Sequence, residues 1–177
     1  LIGGILFYFL GVDPFAAIKM IFWDPIMSET FSSYSIPQIF IKGAPLILIA
    51  LGLSVGFKAN IWNIGAEGQY IMGAIFGASF ALSLYPMNSA FIFPLMVLIG
   101  IAGGCLWSMI PAILKIRFNV NEILVSLMLV YVAEQILALA SLGFLRNPDG
   151  AGFPGSRNLS QYPSASNSEL ILGTGIH

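Results

Sequence analysis

The sequence predicts an all-α membrane protein, a polytopic bundle of helices that cross the bilayer. Of its 177 residues, 58% are hydrophobic and only 8% are charged, whereas soluble proteins average about 25% charged residues. Apolar runs of about 20 residues, the length that a membrane-spanning helix needs, recur along the chain. At that length the chain has room for roughly four to six spans and no separate soluble domain, so we predict a single membrane domain.

The first element, residues 1–10, is apolar but too short to cross the bilayer by itself. We interpret it as part of a span whose start is missing, which makes the predicted domain incomplete. The next stretch, GVDPFAAIKMIFWDP, has apolar residues at spacings of three and four, which is typical of a short helix in the plane of the membrane interface. A polar linker, SETFSSYS, is expected to follow it.

Four full spans are predicted after this linker, at residues 36–57, 70–85, 90–114 and 123–145. Residues 146–177 are rich in Gly, Pro, Ser and Asn and are predicted to form an external loop. The positive-inside rule assigns the short loops with basic residues to the cytoplasm. These basic residues are Lys58, Lys115 and Arg117, and the acidic residues of the opposite side are Asp13, Asp24, Glu29, Asp149 and Glu169.

Composition also excludes several classes of function. The formal net charge of -1 provides no basic surface for nucleic acid. The single cysteine, Cys105, has no disulfide partner and is predicted to fill space in an apolar run. The single histidine, His177, is predicted to belong to a loop. Because no Ser–His pairing and no His/Cys cluster is recognisable, we predict neither a catalytic site nor a metal site.

Two pairs of glycines have the spacing of a helix contact, Gly52 with Gly56 and Gly73 with Gly77. In lipid, small residues at this spacing let two helix backbones approach closely. We therefore predict that both pairs pack helices together. The alternative is that Gly is simply common in membrane helices.

The most polar stretch between two apolar runs is NIWNIGAEGQYIMGA, residues 60–74. A carboxylate at membrane depth costs roughly 2.5 to 3.5 kcal/mol unless it meets a partner or water, so we expect Glu67 to face the bundle interior or the aqueous boundary. If the helix begins at Asn63, then Asn63, Glu67 and Tyr70 share one face. The two central glycines would allow a broken or closely approached backbone. The alternative is a cytoplasmic loop whose Asn and Glu cap a helix.

The stretch GAPLILIALGLSVGFKANIWNIGAEGQYIMGA resembles the membrane permease subunits of bacterial ABC importers for nucleosides and simple sugars, which carry an Asn-Ile-Gly-x-Glu-Gly-Gln signature. Residues 63–69 match that signature. A second stretch, NVNEILVSLMLVYVA, is similar to the family's Val-Asn-Glu segment. Asn60 and Asn119 stand where the family usually has Gly, and we expect them only to stiffen turns. Val130 replaces a common Asn, which would remove a polar group from the solute route.

The resemblance implies the N-terminal half of a permease of roughly ten spans in the bacterial cell (inner) membrane. It implies cytoplasmic ATP-binding subunits, a second permease subunit and an external solute-binding protein as partners, and no cofactor bound by this chain. A permease for branched-chain amino acids is the nearest alternative. The residues expected to line or gate the solute path are Trp62, Asn63, Glu67, Gln69 and Tyr70.

No phosphate-binding G-x-x-x-x-G-K-[ST] motif occurs in the sequence, so ATP is expected to bind in the partner subunits. We predict that KIRFNVNE couples them to the helices, with Asn119 capping the next helix and Glu122 reaching back to it as in a capping box. The other residues assigned to coupling are Lys115, Arg117 and Asn121. The alternatives are that the two cations only anchor a helix end, and that the main coupling helix lies in the missing half.

Glu134 and Gln135 lie inside the last predicted span. We expect them either to hydrogen-bond neighbouring helices or to contact solute. Two rival functions are also considered. A secondary transporter would relay protons through Glu67, Glu122 and Glu134 and would need no ATP, and a purely structural subunit would transport nothing.

Overall fold

The computed structural model describes residues 2–153 and 155–166, and these residues form helices joined by turns. Within these ranges, the β structure consists of one isolated bridge between Arg146 and Ser156. The predicted all-α fold class is therefore confirmed. The helices are α1 Ile2–Phe9, α2 Pro14–Phe22, α3 Asp24–Met27, α4 Glu29–Lys58, α5 Ala66–Ser83, α6 Ile92–Phe118 and α7 Glu122–Leu142, and a 3₁₀ turn follows at Leu159–Gln161.

The described chain divides into two compact units, residues 2–48 and residues 49–166. In the first unit, a short helix forms where the apolar spacing predicts one. Asp13 Oδ1 accepts a hydrogen bond from Phe15 N–H at 3.0 Å, and Pro14 occupies the first turn of α2, where a missing N–H does no harm. Lys19 Nζ lies 3.5 Å from Asp24 Oδ1, which connects α2 to α3.

Helix α4 begins at Glu29, so the prediction of a polar linker at SETFSSYS is wrong. Ser28 is extended (φ -83°, ψ 127°), and its carbonyl accepts the N–H groups of Phe31 and Ser32. Ser and Thr lower helix stability by well under about 1 kcal/mol each, so they do not stop a helix that a long apolar run continues. Two prolines also lie inside α4, as prolines do in membrane helices.

In the second unit, α5 is the central helix and packs along both α6 and α7. Met72 and Ile75 of α5 are buried in one core cluster together with Ala133 and Ala140 of α7. Leu145, just beyond α7, belongs to the same cluster. The α5–α7 pair therefore forms the core of this unit.

The segment after α7 folds back onto the far end of α5. Tyr162 is buried, and its hydroxyl lies 3.2 Å from the carbonyl oxygen of Leu84 and 2.5 Å from that of Met87. Ser89 N–H donates to Ser164 Oγ at 3.1 Å. The first part of the predicted external loop is thus tied to the helices through buried hydrogen bonds.

Three helices of the described ranges are long and apolar enough to cross a membrane by length and composition, namely α4, α6 and α7. Helix α5 has 18 residues, which include Glu67 and Gln69, and is not among the three. The predicted span at 70–85 therefore stays a prediction. The expectations for Glu169 and His177 concern residues outside the described ranges.

Candidate functional site

The turn between α4 and α5 is held by its own side chains. Asn60 has a left-handed backbone with φ 58°, and its Oδ1 accepts from Trp62 Nε1 at 3.3 Å. Gly adopts this conformation most easily and Asn tolerates it, which explains how Asn60 can replace the usual Gly. Trp62 stacks on Phe57 with ring centroids 5.0 Å apart. One face of the Trp62 indole, which is expected to line or gate the solute path, is therefore already covered by Phe57.

Asn63 precedes α5 and does not belong to the helix. Its Oδ1 accepts from Gly65 N–H at 2.9 Å, and the helix begins at Ala66. The prediction of one helical face shared by Asn63, Glu67 and Tyr70 is therefore wrong. Asn side chains bond the backbone two residues on and so favour turns over helix interiors.

The two glycines of the signature lie against the backbone of α7. A Cβ at Gly65 would sit 2.7 Å from the carbonyl oxygen of Ser126, and a Cβ at Gly68 would sit 3.1 Å from Cα of Val130. Ile64 N–H donates to Ser126 Oγ at 3.3 Å. Val130 is buried in this contact and borders neither of the two large cavities described below.

Glycines also form the contact between α5 and α6. A Cβ at Gly73 would lie 2.9 Å from the carbonyl oxygen of Gly100, and a Cβ at Gly77 would lie 3.2 Å from that of Met96. Gly104 of α6 likewise has a backbone carbonyl of α5 within 3.1 Å of its Cβ position. The two helices thus touch along their backbones.

The second predicted pair is placed differently. A Cβ at Gly52 would meet no atom of the described residues within 4 Å, and a Cβ at Gly56 would meet only the carbonyl oxygen of Ile61, at 3.4 Å. Gly52 instead borders a cavity. No helix backbone is packed against this part of α4 within the described chain.

Two cavities of the second unit border residues that are predicted to line the solute path. The larger, of about 630 Å³, is bordered by the end of α4, by α5 and by α6. The smaller, of about 590 Å³, is bordered by the turn at 60–63, the end of α6 and the start of α7. The residues that border both cavities are polar and uncharged, and we call them the polar junction: Asn63, Gln69 and Ser108.

The polar junction presents two amides and one hydroxyl, which together can donate and accept hydrogen bonds. The larger cavity is otherwise mostly apolar and includes the ring of Tyr70. Apolar walls with a few convergent polar groups are typical of sites for small molecules. Sequence reasoning missed Ser108, because a lone Ser in an apolar run commonly bonds its own helix, as Ser108 Oγ does with the carbonyl of Cys105 at 2.7 Å.

Cys105 is exposed within the described residues and borders the larger cavity. Ile101, Gly104 and Ser108 border the same cavity. These four residues are three or four apart and therefore share one face of α6. The rotation of α6 that presents this face is set by the glycine contact with α5.

Glu67 lies in the first turn of α5, where a carboxylate interacts favourably with the helix dipole. Its side chain is exposed and borders neither large cavity. It has no hydrogen bond or ion pair within the described part of the chain. The assignment of Glu67 to the solute path therefore stays a prediction.

The corner between α6 and α7 uses two asparagines in different ways. Asn119 ends α6 in a left-handed conformation (φ 49°, ψ 36°) and donates its N–H to the carbonyl of Lys115. Asn121 is the residue that caps α7, because its Oδ1 accepts from Ile123 N–H at 3.0 Å. The prediction that Asn119 caps α7 is wrong. The backbone reversal between the helices requires the αL residue first.

Glu122 does not reach back to Asn119 either. Its Oε2 lies 2.7 Å from Lys115 Nζ, which joins the last turn of α6 to the first turn of α7. Both members of the ion pair border the smaller cavity, whereas Arg117 is exposed and unpaired within the described ranges.

The carboxylates of the proton-relay alternative occupy different settings. Glu122 is paired with Lys115, and Glu67 and Glu134 are exposed on two different helices. Gln135, beside Glu134, is exposed as well. The described helices provide neither Glu134 nor Gln135 with the interior hydrogen bond that is expected of residues joining them.

A sequence model of the family described as "Branched-chain amino acid transport system / permease component" matches residues 35–171. The chain belongs to this permease family. The match includes both stretches on which the resemblance rests, since they lie within residues 43–133.

Three curated relatives are similar to the permease chain. It is 33% identical to the glucose ABC transporter permease protein TsgB13 of Haloferax volcanii, over 90% of the chain and 40% of that protein. It is 33% identical to the nucleoside ABC transporter permease protein NupB of Lactococcus lactis, over 75% of the chain and 35% of that protein. It is 32% identical to the guanosine ABC transporter permease protein NupP of Bacillus subtilis, over 63% and 31%.

The permease chain thus spans less than half the length of these relatives. No solved structure matches it. Family membership, together with three helices of spanning length, places it in the cell (inner) membrane as a multi-pass protein, as predicted. The family consists of transport permeases, which agrees with the prediction of a transport subunit and not an enzyme.

Proposed function

We propose that the permease chain forms part of the route by which a nucleoside or simple sugar passes through an ATP-driven importer. The observation that carries the proposal is the polar junction, which borders both large cavities. Its amides and hydroxyl suit an uncharged solute with several hydroxyl groups. The names of the relatives, which refer to glucose, nucleosides and guanosine, support the same solute class.

In this proposal the permease chain itself binds no nucleotide. Separate cytoplasmic subunits bind and hydrolyse ATP, an external binding protein delivers the solute, and a second permease subunit completes the route. The α6–α7 corner is the proposed contact with the ATP-binding subunits. Its exposed cation Arg117 and its ion pair between Lys115 and Glu122 give this corner both charge and rigidity.

The first test uses Cys105 as a native site for chemical labelling. Any other cysteine of the full-length permease is first replaced by Ser, and the permease is then assembled with its partner subunits. A small methanethiosulfonate reagent is expected to block uptake, and saturating solute is expected to slow the labelling, because both would occupy the larger cavity. Cys105→Ala is the matched control and should be insensitive. Complete labelling with unchanged uptake and no protection by solute would overturn the proposal.

The second test compares Gln69→Ala with Glu67→Gln at equal membrane abundance. Loss of one hydrogen bond to solute should weaken the apparent affinity for uptake roughly 3- to 10-fold for Gln69→Ala. Glu67→Gln should leave it unchanged, because Glu67 borders neither cavity. The opposite pattern would remove the cavities from the route.

The same vesicles decide between the solute and energy alternatives. Competition by guanosine, glucose and leucine separates nucleosides, sugars and branched-chain amino acids. Uptake is expected to require ATP and to persist when the proton gradient is dissipated. Uptake that follows the gradient without ATP would instead identify a secondary transporter.

A further inference from the structure

Helix α7 carries a polar group of residues on a face that its packing against α5 leaves uncovered. We define the α7 patch as Tyr131, Glu134 and Gln135, and all three side chains are exposed. Residues three and four apart on a helix are neighbours, so Tyr131 lies beside both of the others. The residues that α7 buries are on another face: Ser126, Val130, Ala133 and Ala140.

The α7 patch lies deep in the predicted span. Glu134 is 12 residues from Glu122 and 8 residues from Leu142 along the helix, which at 1.5 Å per residue corresponds to about 18 Å and 12 Å from the two ends. The hydrocarbon core of a bilayer is about 30 Å thick. The short side chain of Glu134 therefore cannot reach water along the helix surface, and its carboxylate needs a partner inside the membrane.

The second unit does not supply that partner. No hydrogen bond or ion pair to the α7 patch forms within residues 49–153 and 155–166. The cations of the second unit belong to helix ends or to the segment after α7, and they are Lys58, Lys115, Arg117, Arg146 and Arg157. The partner must therefore come from outside the second unit.

We propose that the α7 patch docks a transmembrane helix from the remainder of the same permease polypeptide, and that this helix presents a Lys, Arg, Asn or Gln side chain to Glu134. A carboxylate beside an amide and a phenol requires hydrogen-bond donors, which sets the chemistry of the partner. The relatives extend well beyond the stretch that this chain covers, which supplies the source. The proposal rests on the membrane location of the permease family and not on the solute route.

The first experiment compares Glu134→Leu with Glu134→Gln in the purified full-length permease by thermal unfolding. With a donor opposite, Leu should lower the melting temperature by roughly 2 to 8 °C, and Gln should keep most of the stability. With lipid opposite, Leu should raise the melting temperature, because a carboxylate in hydrocarbon is unfavourable, and that result would overturn the proposal. Val132→Leu, at similar depth on another exposed face, is the matched control and should change little.

The second experiment identifies the occupant. A photo-crosslinking amino acid at Gln135, with a protease site engineered after residue 166, should leave the two fragments joined after cleavage. A crosslink to a second copy, to another subunit or to lipid alone would overturn the proposal. The proposal would also be overturned if both Glu134 variants lost uptake while their melting temperatures stayed unchanged. That result would make Glu134 a solute contact. A negative Cys105 labelling test would overturn the proposed solute route but would not change the melting and crosslinking results. The proposed solute route and the proposed docking on the α7 patch can therefore be rejected independently.

Discussion

Helix α5 and the end of α4 each carry two glycines four residues apart, but within the described residues only the pair of α5 lies in a close helix contact. At Gly73 and Gly77 the backbone of α6 lies within about 3 Å of an added Cβ, whereas at Gly52 nothing lies within 4 Å. The difference comes from what stands opposite. Helix α6 contributes glycines of its own, including Gly100, so that the two backbones meet where neither helix has a side chain. A pair of small residues predicts close packing only where the partner helix also has small residues at the contact.

Among the glycine variants, Gly65→Ala is expected to lower the free energy of unfolding the most. The added methyl group would lie 2.7 Å from the backbone carbonyl oxygen of Ser126, and a backbone cannot give way as a flexible side chain can. Overpacking of this kind is expected to lower the free energy of unfolding by about 3 kcal/mol. Denaturant unfolding of the full-length permease in mixed micelles measures it. A value near zero would show that α7 is free to move away from α5.

A matched pair tests the comparison directly. Gly73→Ala should lower the free energy of unfolding by about 2 kcal/mol, because α5 and α6 must separate. Gly52→Ala should leave it unchanged or raise it by up to about 1 kcal/mol, since Ala has the higher helix propensity. The same unfolding assay applies to both variants. Equal losses would mean that Gly52 is packed in the assembled permease.

The smallest change in the free energy of unfolding is expected at Asn119, where the substitution affects only the backbone conformation. Asn119→Ala should lower the free energy of unfolding by about 1 kcal/mol, because an alanine is strained at φ 49°. Asn119→Gly should be neutral or slightly stabilising there. Thermal unfolding of the two variants against the parent separates these signs. A loss of stability with Gly would point to a side-chain role for Asn119 instead.

Local patterns in the sequence predicted those features that depend on few atoms. The alternation of apolar runs and polar breaks predicted the helices, and the Gly73–Gly77 spacing lies in a helix contact. The cap of α7 was assigned to Asn119 instead of Asn121, because Asn serves equally well as a helix N-cap and as a left-handed C-terminal residue. Only the backbone reversal between α6 and α7 decides between the two roles.

The candidate site was predicted less well, because its composition depends on the rotation of whole helices. Gln69 and Asn63 were expected on the solute path and border both cavities, but Ser108 and Cys105 join them only because the glycine contact turns that face of α6 toward the cavities. Glu134 illustrates a different limit. Its environment depends on the proposed partner, which the second unit does not include.

The glycine contact between α5 and α6 also constrains how this part of the molecule can move. Gly73, Gly77, Gly100 and Gly104 bring the two backbones into contact. The two helices cannot slide or roll against each other without losing this fit, so we expect them to move as one rigid unit. Gln69 lies on α5 and Ser108 lies on α6. The distance between these two residues is therefore expected to stay constant when the helix pair moves. Within the described residues, the end of α4 is the other element that borders the larger cavity, and a Cβ at Gly52 would meet no atom within 4 Å. A change in the width of the proposed route beside α5 and α6 is therefore expected to involve α4.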